Sequence, residues 1–241
     1  IQVTMEPDTV EASIEQLDDY LELFFEDTIE PKVQSSRRIL LLILDYSNLE
    51  YILNHDTFLN TLTRTLSEDH KKSMELSINL LAGFYVLSNY EQFHDLLMTN
   101  KVGDTTMKII EYQVQRFDMR MNDYQDKERI VKQQTDPKKR KQLEAELDKD
   151  LKKFNKLIFK QDKLFFVCFN LLLNLANDFR IEKKMVKRNI VAYLVRMMER
   201  NSGDLLVACL YFLKKLSIIS ENKDQMVQEG IIDRMPRFFK Q

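Results

Sequence analysis

Glycine, proline and cysteine are scarce in this 241-residue chain, and each scarcity closes off a class of fold. Four glycines and four prolines leave little material for tight turns, and the abundance of Leu, Lys and Glu favours long helices, so the composition predicts an all-α protein. Two cysteines cannot staple a secreted disulfide framework. Cys168 and Cys209 stand forty-one residues apart, and stacked helices ~8 to 10 Å apart hold such positions too far from each other for the ~5.5 Å Cα separation a bridge prefers. Both are expected to be reduced core thiols, as suits a cytosolic protein. No apolar run reaches the ~18 residues of a membrane span, and the opening IQVTMEPDTVEAS has neither a basic nor an apolar leader pattern. The formal charge of -2 supplies no global field to attract nucleic acid or a membrane surface.

The signatures of catalysis are missing as well. There is no glycine-rich phosphate loop and no G-x-S-x-G elbow, and the acids scatter over helix faces. His55, His70 and His94 fall in no metal-ligand spacing with one another or with the cysteines. Neither a cofactor nor catalytic residues are expected.

What is present is a repeat. FFVCFNLLLNLANDFRIEKKMVKRNIVAYLVR at 165–196 and LVACLYFLKKLSIISENKDQMVQEGIIDRMPR at 206–237 are two copies of one pattern. Leu172 aligns with Leu213, Leu175 with Leu216, Met185 with Met226 and Ile190 with Ile231. A helical unit of ~40 to 47 residues marks an armadillo or HEAT solenoid. Each copy divides into three helices: a long apolar one (162–177; 204–219), a short one stopped at Asn189 or Gly230, and a third that Pro236 should kink or end early in the last copy. Asn and Gly are the residues that most readily take the left-handed conformation closing a helix. Three helices per unit favours armadillo.

Weaker copies precede these. Eighty-eight residues earlier, Ile78, Leu81, Phe84 and Leu87 fall where Phe166, Phe169, Leu172 and Leu175 stand, and Leu97 falls on Met185. Leu42 and Ile52 repeat the spacing again, and Ile14, Leu17, Leu21, Phe24 and Phe25 form one helical stripe. Four to five repeats are visible. Between Met107 and Lys163 the period is broken by polar but helical sequence. Ile110, Val114, Phe117, Met121 and Tyr124 make one stripe, and Leu143, Leu147, Leu151, Phe154 and Ile158 a second, separated by Thr135-Asp136-Pro137. The expectation is an all-α, right-handed armadillo superhelix over residues 1–241, a fragment of a longer array, with a long antiparallel helical hairpin inserted at 108–160.

Candidate binding residues follow from helix phase. Asn170 and Asn174 lie where an armadillo groove holds a peptide backbone, but the matching pairs elsewhere are Ala82 with Val86 and Tyr211 with Lys215, so an asparagine ladder is absent. Lys214 and Lys215 make the late groove basic, although a solvated lysine pair is the commoner explanation. The run Lys138, Lys139, Arg140, Lys141 at the hairpin tip resembles a phosphate-contacting cluster. It also opens a helix of alternating charge, as exposed helices do, and no aromatic platform accompanies it. Nucleic acid is therefore not an expected partner.

The stretches Phe166–Asp178, Lys184–Val191, Phe212–Ile218 and Glu221–Val227, with Ser88–Leu96 and the charged interruption, resemble the kinesin-associated protein family. Members of that family are the non-motor subunits of heterotrimeric kinesin-II. The resemblance runs from about residue 15 to the end, and the charged insertion sets it apart from importins and catenins. It implies a non-catalytic adaptor that binds the C-terminal tails of two motor chains and links them to cargo, including ciliary and flagellar transport trains, in the cytoplasm and on the cytoskeleton. The alternative is a general peptide-binding scaffold of importin or catenin type.

Overall fold

The computed structural model describes residues 11–239, and among these every regular element is a helix. The leader-free reading of the first ten residues lies outside them. The helices are α1 (Leu17–Glu22), α2 (Ile29–Leu44), α3 (Leu49–Leu53), α4 (Phe58–Asp69), α5 (Met74–Leu87), α6 (His94–Thr99), α7 (Val102–Gln133), α8 (Pro137–Leu175), α9 (Phe179–Lys187), α10 (Ile190–Met197), α11 (Gly203–Leu216), α12 (Ser220–Gln228) and α13 (Ile231–Arg234). Short 3-10 turns flank α1, join α2 to α3, precede α6 and follow α13. The chain forms two compact units. One holds the described residues up to Thr106 with Asn170–Ile181, and the other holds Met107–Phe169 with the described residues from Glu182 onward.

The repeat is written into the backbone. Lys101, Asn189 and Gly230, at φ 55°, 62° and 73°, are the described residues with positive φ, and they lie eighty-eight and then forty-one residues apart. Helix ends keep the same register: α5, α8 and α11 stop at Leu87, Leu175 and Leu216, and α7, α10 and α13 start at Val102, Ile190 and Ile231. Burial follows suit. Leu81, Phe84 and Leu87 are buried with Ile78 half-buried, just as Phe169, Leu172 and Leu175 are buried with Phe166 half-buried. A left-handed residue closes the short helix and reverses the chain into the next one, so the sequence must place there a residue that tolerates this conformation. Asn and Gly meet that condition. Lys101 does not by type, and only its register singles it out.

Within the first unit, α2 and α5 lie side by side and run parallel. Arg37, midway along α2, pairs with Glu75 in the first turn of α5, Asn79 Nδ2 donates to Ser36 Oγ at 3.0 Å, and Tyr46 faces Tyr90 just beyond their C-termini. Gly83 permits the close approach, because a Cβ there would stand 2.8 Å from Ile43 Cδ1. Lys32 on α2 reaches Asp69 at the end of α4 at 2.7 Å, and Lys72 closes on the same carboxylate at 2.6 Å.

Two expectations need adjustment, and one at the C-terminal end is met. The long helix placed at 162–177 begins at Pro137, because the charged sequence before it has high helix propensity and contains no breaker. The N-terminal stripe is not one helix: α1 is bounded by 3-10 turns, whose tighter winding changes the phase. Leu17, Leu21 and Phe24 are therefore buried while Phe25 points outward, its ring covered by Arg64 at 3.9 Å. The third helix of the last copy ends at Arg234 and tightens to 3-10 through Pro236, the early end that proline enforces.

Candidate partner-binding surfaces

In the second unit, α11 has two faces of different character. Leu205, Ala208, Cys209, Phe212, Leu213 and Leu216 are buried, whereas Val207, Tyr211 and Lys214, continuing to Ile218 just past the helix end, are exposed. The steps of 4, 3 and 4 keep these on one side. Tyr211 is 61% and Ile218 76% exposed, an unusual outlay of apolar surface beside two lysines. Lys214 and Lys215 lie in the last turn of α11, where their charge also complements the helix C-terminus.

Asn170 and Asn174 belong to the first unit, so the five groove candidates are divided between the units. Asn174 Nδ2 donates to Ser88 Oγ at 2.9 Å and to Asn89 Oδ1 at 3.1 Å. Its amide thereby joins the end of α8 to the end of α5. Asn170 is half-buried.

Lys138, Lys139, Arg140 and Lys141 are all exposed in the first turn of α8. Asp136 caps that turn, its Oδ1 accepting from Lys138 N at 2.9 Å and Lys139 N at 3.4 Å. Arg140 Nε pairs with Glu144 at 2.9 Å, leaving three lysine ammoniums toward solvent.

Sequence reasoning did not find what fixes α7 and α8. The two run antiparallel: Gln161 Nε2 donates to Gln113 Oε1 at 3.1 Å, Phe117 stacks on Phe154 at 5.3 Å, and Lys127 pairs with Asp150. Three arginines from α10 and its flanks then hold the pair in place. Arg188 donates to Glu111 at 2.9 Å, Arg196 is bidentate to Asp118, and Arg200 reaches Asp162 at 3.2 Å. Arg200 is the deepest of these, with its side chain 9% exposed against 12% for Asp162. Its guanidinium lies 4.2 Å from the Phe117 ring centroid. Burial pushes the Asp162 carboxyl above its ordinary pKa despite the opposing attraction of Arg200, and burial likewise pulls Arg200 below its own. Arg188, Arg196 and Arg200 meet partners that lie too far away in sequence to be inferred.

The remaining candidates for chemistry have structural partners. His55 Nε2 meets Asp18 at 3.0 Å, His94 Nε2 meets Ser88 O at 2.8 Å, and His70 Nδ1 lies 3.2 Å from Leu66 O. Cys168 and Cys209 are free and buried, and burial raises both thiols far above their usual pKa. Among the described residues no group of three or more His, Cys, Asp or Glu is disposed to hold a metal, and no helix is long and apolar enough to cross a membrane.

The sequence, repeat and interruption together, matches the family described as kinesin-associated protein (KAP) over residues 2–241. The chain belongs to the kinesin-associated protein family. The match takes in both compact units and both long helices. Association with kinesin, in an accessory role, follows from that membership.

Proposed function

We propose that the chain is a non-catalytic adaptor subunit of a heterotrimeric kinesin-II motor, binding the C-terminal tails of the motor chains and linking them to cargo for microtubule-based transport, including intraciliary and intraflagellar transport. Family membership across residues 2–241 carries this reading. In it the chain is an armadillo solenoid with α7 and α8 as an inserted helical hairpin. The recurrence of left-handed Lys101, Asn189 and Gly230 in repeat register supports the solenoid, and the antiparallel contacts from Gln113–Gln161 to Lys127–Asp150 support the hairpin.

The α11 face is the proposed seat for a tail segment. Val207, Tyr211 and Ile218 supply apolar anchors, and Lys214 and Lys215 select against basic segments. In the first unit Asn170 is proposed as a separate polar contact, and Asn174 contributes there by joining the end of α8 to the end of α5. Lys138, Lys139, Arg140 and Lys141 form a second, purely electrostatic contact for an acidic partner. A pull-down of the chain with each purified motor tail tests the reading. Capture of both tails, lost with Tyr211→Ala and Ile218→Asp together, is expected. Capture of neither tail by the unsubstituted chain overturns it.

A further inference from the structure

The first unit carries an exposed aromatic edge that the adaptor reading does not use. Tyr46, 73% exposed, sits in the 3-10 turn after α2 with its ring centroid 6.0 Å from that of Tyr90, which follows α5. Leu44 and Tyr51 on either side of Tyr46 in sequence are exposed too. Such exposure is costly in water and is the usual mark of a surface that meets another chain.

The two segments that build this edge carry acids and no lysine or arginine. No lysine or arginine occurs between Arg38 and Arg64 or between Lys72 and Lys101. The acids in these segments include Asp45, Glu50, Asp56, Glu91 and Asp95, all exposed. Hydrogen bonds from the Ser47 side chain and backbone hold the Asp45 carboxyl below the usual carboxylate range. Arg180 is a nearby cation that feels Asp95, and it is engaged by Asp178 at 2.8 Å.

An independent feature points the same way. The C-termini of α2, α5 and α8 come together here, through Tyr46 against Tyr90 and through Asn174 bonded to Ser88 and Asn89. A helix C-terminus carries partial negative charge and is stabilised by a cation placed close to it. None of these three helices has a basic residue in its last turn, as is also true of α1, α3, α4, α6 and α12; what sets the three apart is that their ends meet beside exposed acids. Three dipole ends, exposed acids and tyrosine faces thus gather where the nearby cation, Arg180, is already engaged by Asp178.

We infer that this edge, centred on Tyr46, Tyr51 and Tyr90 with Asp45, Glu50 and Glu91, is a docking surface for a lysine- and arginine-rich segment of a partner polypeptide. Guanidinium groups of that segment stack on the tyrosines, and its charges complete the helix termini. The chemistry is opposite to that of the basic α11 face, so the two surfaces select different segments.

The test is fluorescence anisotropy of the 241-residue chain with a labelled peptide of lysine, arginine and alanine, against a glutamate-rich peptide of equal length. Binding of the basic peptide alone is expected, weakened about tenfold or more by Tyr46→Ala with Tyr51→Ala, and equally by Glu50→Lys with Glu91→Lys. The exposed control pair Glu146→Lys with Glu221→Lys, of equal charge change in the second unit, should alter it less than about twofold. Equal loss in the control, or no binding by the unsubstituted chain, overturns the inference. So does self-association in sedimentation that both Lys138→Glu with Lys139→Glu and Glu50→Lys with Glu91→Lys abolish, since the occupant is then a second copy.

Discussion

Replacing Arg200 by methionine probes the anchoring of the long helices at its most buried point. The substitution removes the charge while keeping a polarisable side chain against Phe117 and Phe165. Asp162 is left with its carboxylate nearly enclosed and without a counter-ion. Breaking a buried pair from one side costs about 3–5 kcal/mol, and the low exposure of both partners means that water does not screen the loss. For a chain of this size that corresponds to a fall of roughly 6–20 °C in the unfolding midpoint, read by far-UV circular dichroism. The deficit has a pH signature. Burial already raises the Asp162 pKa, and removing Arg200 takes away the one opposing attraction. A carboxyl whose folded pKa exceeds its unfolded value favours the fold while protonated and loses that contribution as pH rises through the folded pKa. The variant should therefore be most impaired near neutrality and should approach the parent in acid. Adding Asp162→Leu removes the orphaned charge and should restore stability to within about 1 kcal/mol of the parent. A single-variant cost below about 1 kcal/mol, or a deficit independent of pH, would refute the argument.

Four other outcomes are expected. Gly230→Ala should destabilise by about 1–2 kcal/mol in urea denaturation, since its φ is left-handed and the new Cβ would meet Arg234 Nη1 at 2.8 Å, whereas Asn189→Gly should be nearly neutral. Gly83→Val should cost about 1–3 kcal/mol by forcing α2 and α5 apart at Ile43, with the same readout. Asp69 is pushed up by burial, but its hydrogen bonds and attractions to Lys32 and Lys72 outweigh this and depress it. Asp69→Asn should thus lose stability near neutral pH and converge on the parent as pH falls through the depressed folded value. Cys168 and Cys209 should react with a maleimide only after denaturation, and fast labelling of the native chain by mass spectrometry would contradict their burial.

How far the sequence was readable depends on how local each determinant is. Asn189 and Gly230 announced left-handed positions by residue type, and Leu175 and Leu216 marked helix ends by periodicity, because both signals act within one or two turns. Lys101 adopts the same backbone without the residue type, held by the packing of Leu97 and Val102 on either side. The stripes from Ile110 to Tyr124 and from Leu143 to Ile158 anticipated contacts such as Phe117 on Phe154, since facing apolar stripes have few other ways to be covered. Arg188, Arg196 and Arg200 remained unreadable as anchors because Glu111, Asp118 and Asp162 reach them only through the tertiary fold. Phe25 leaves the stripe counted at Ile14 to Phe25 because a 3-10 turn, not α-helix, carries it. Of the binding candidates, Tyr211 and Lys214 proved exposed together, Asn174 proved bonded within the fold, and the edge at Tyr46 and Tyr90 gave no signal, having no periodicity to betray it.

The central claim is that motor-chain tails seat on the exposed face of α11, and lysine-directed cross-linking of the chain assembled with both tails addresses it directly. The account predicts cross-links from a tail to Lys214 or Lys215, lost together with binding when Tyr211→Ala and Ile218→Asp are introduced. Tail cross-links confined to Lys138, Lys139 and Lys141, with binding unaffected by those substitutions, would contradict it.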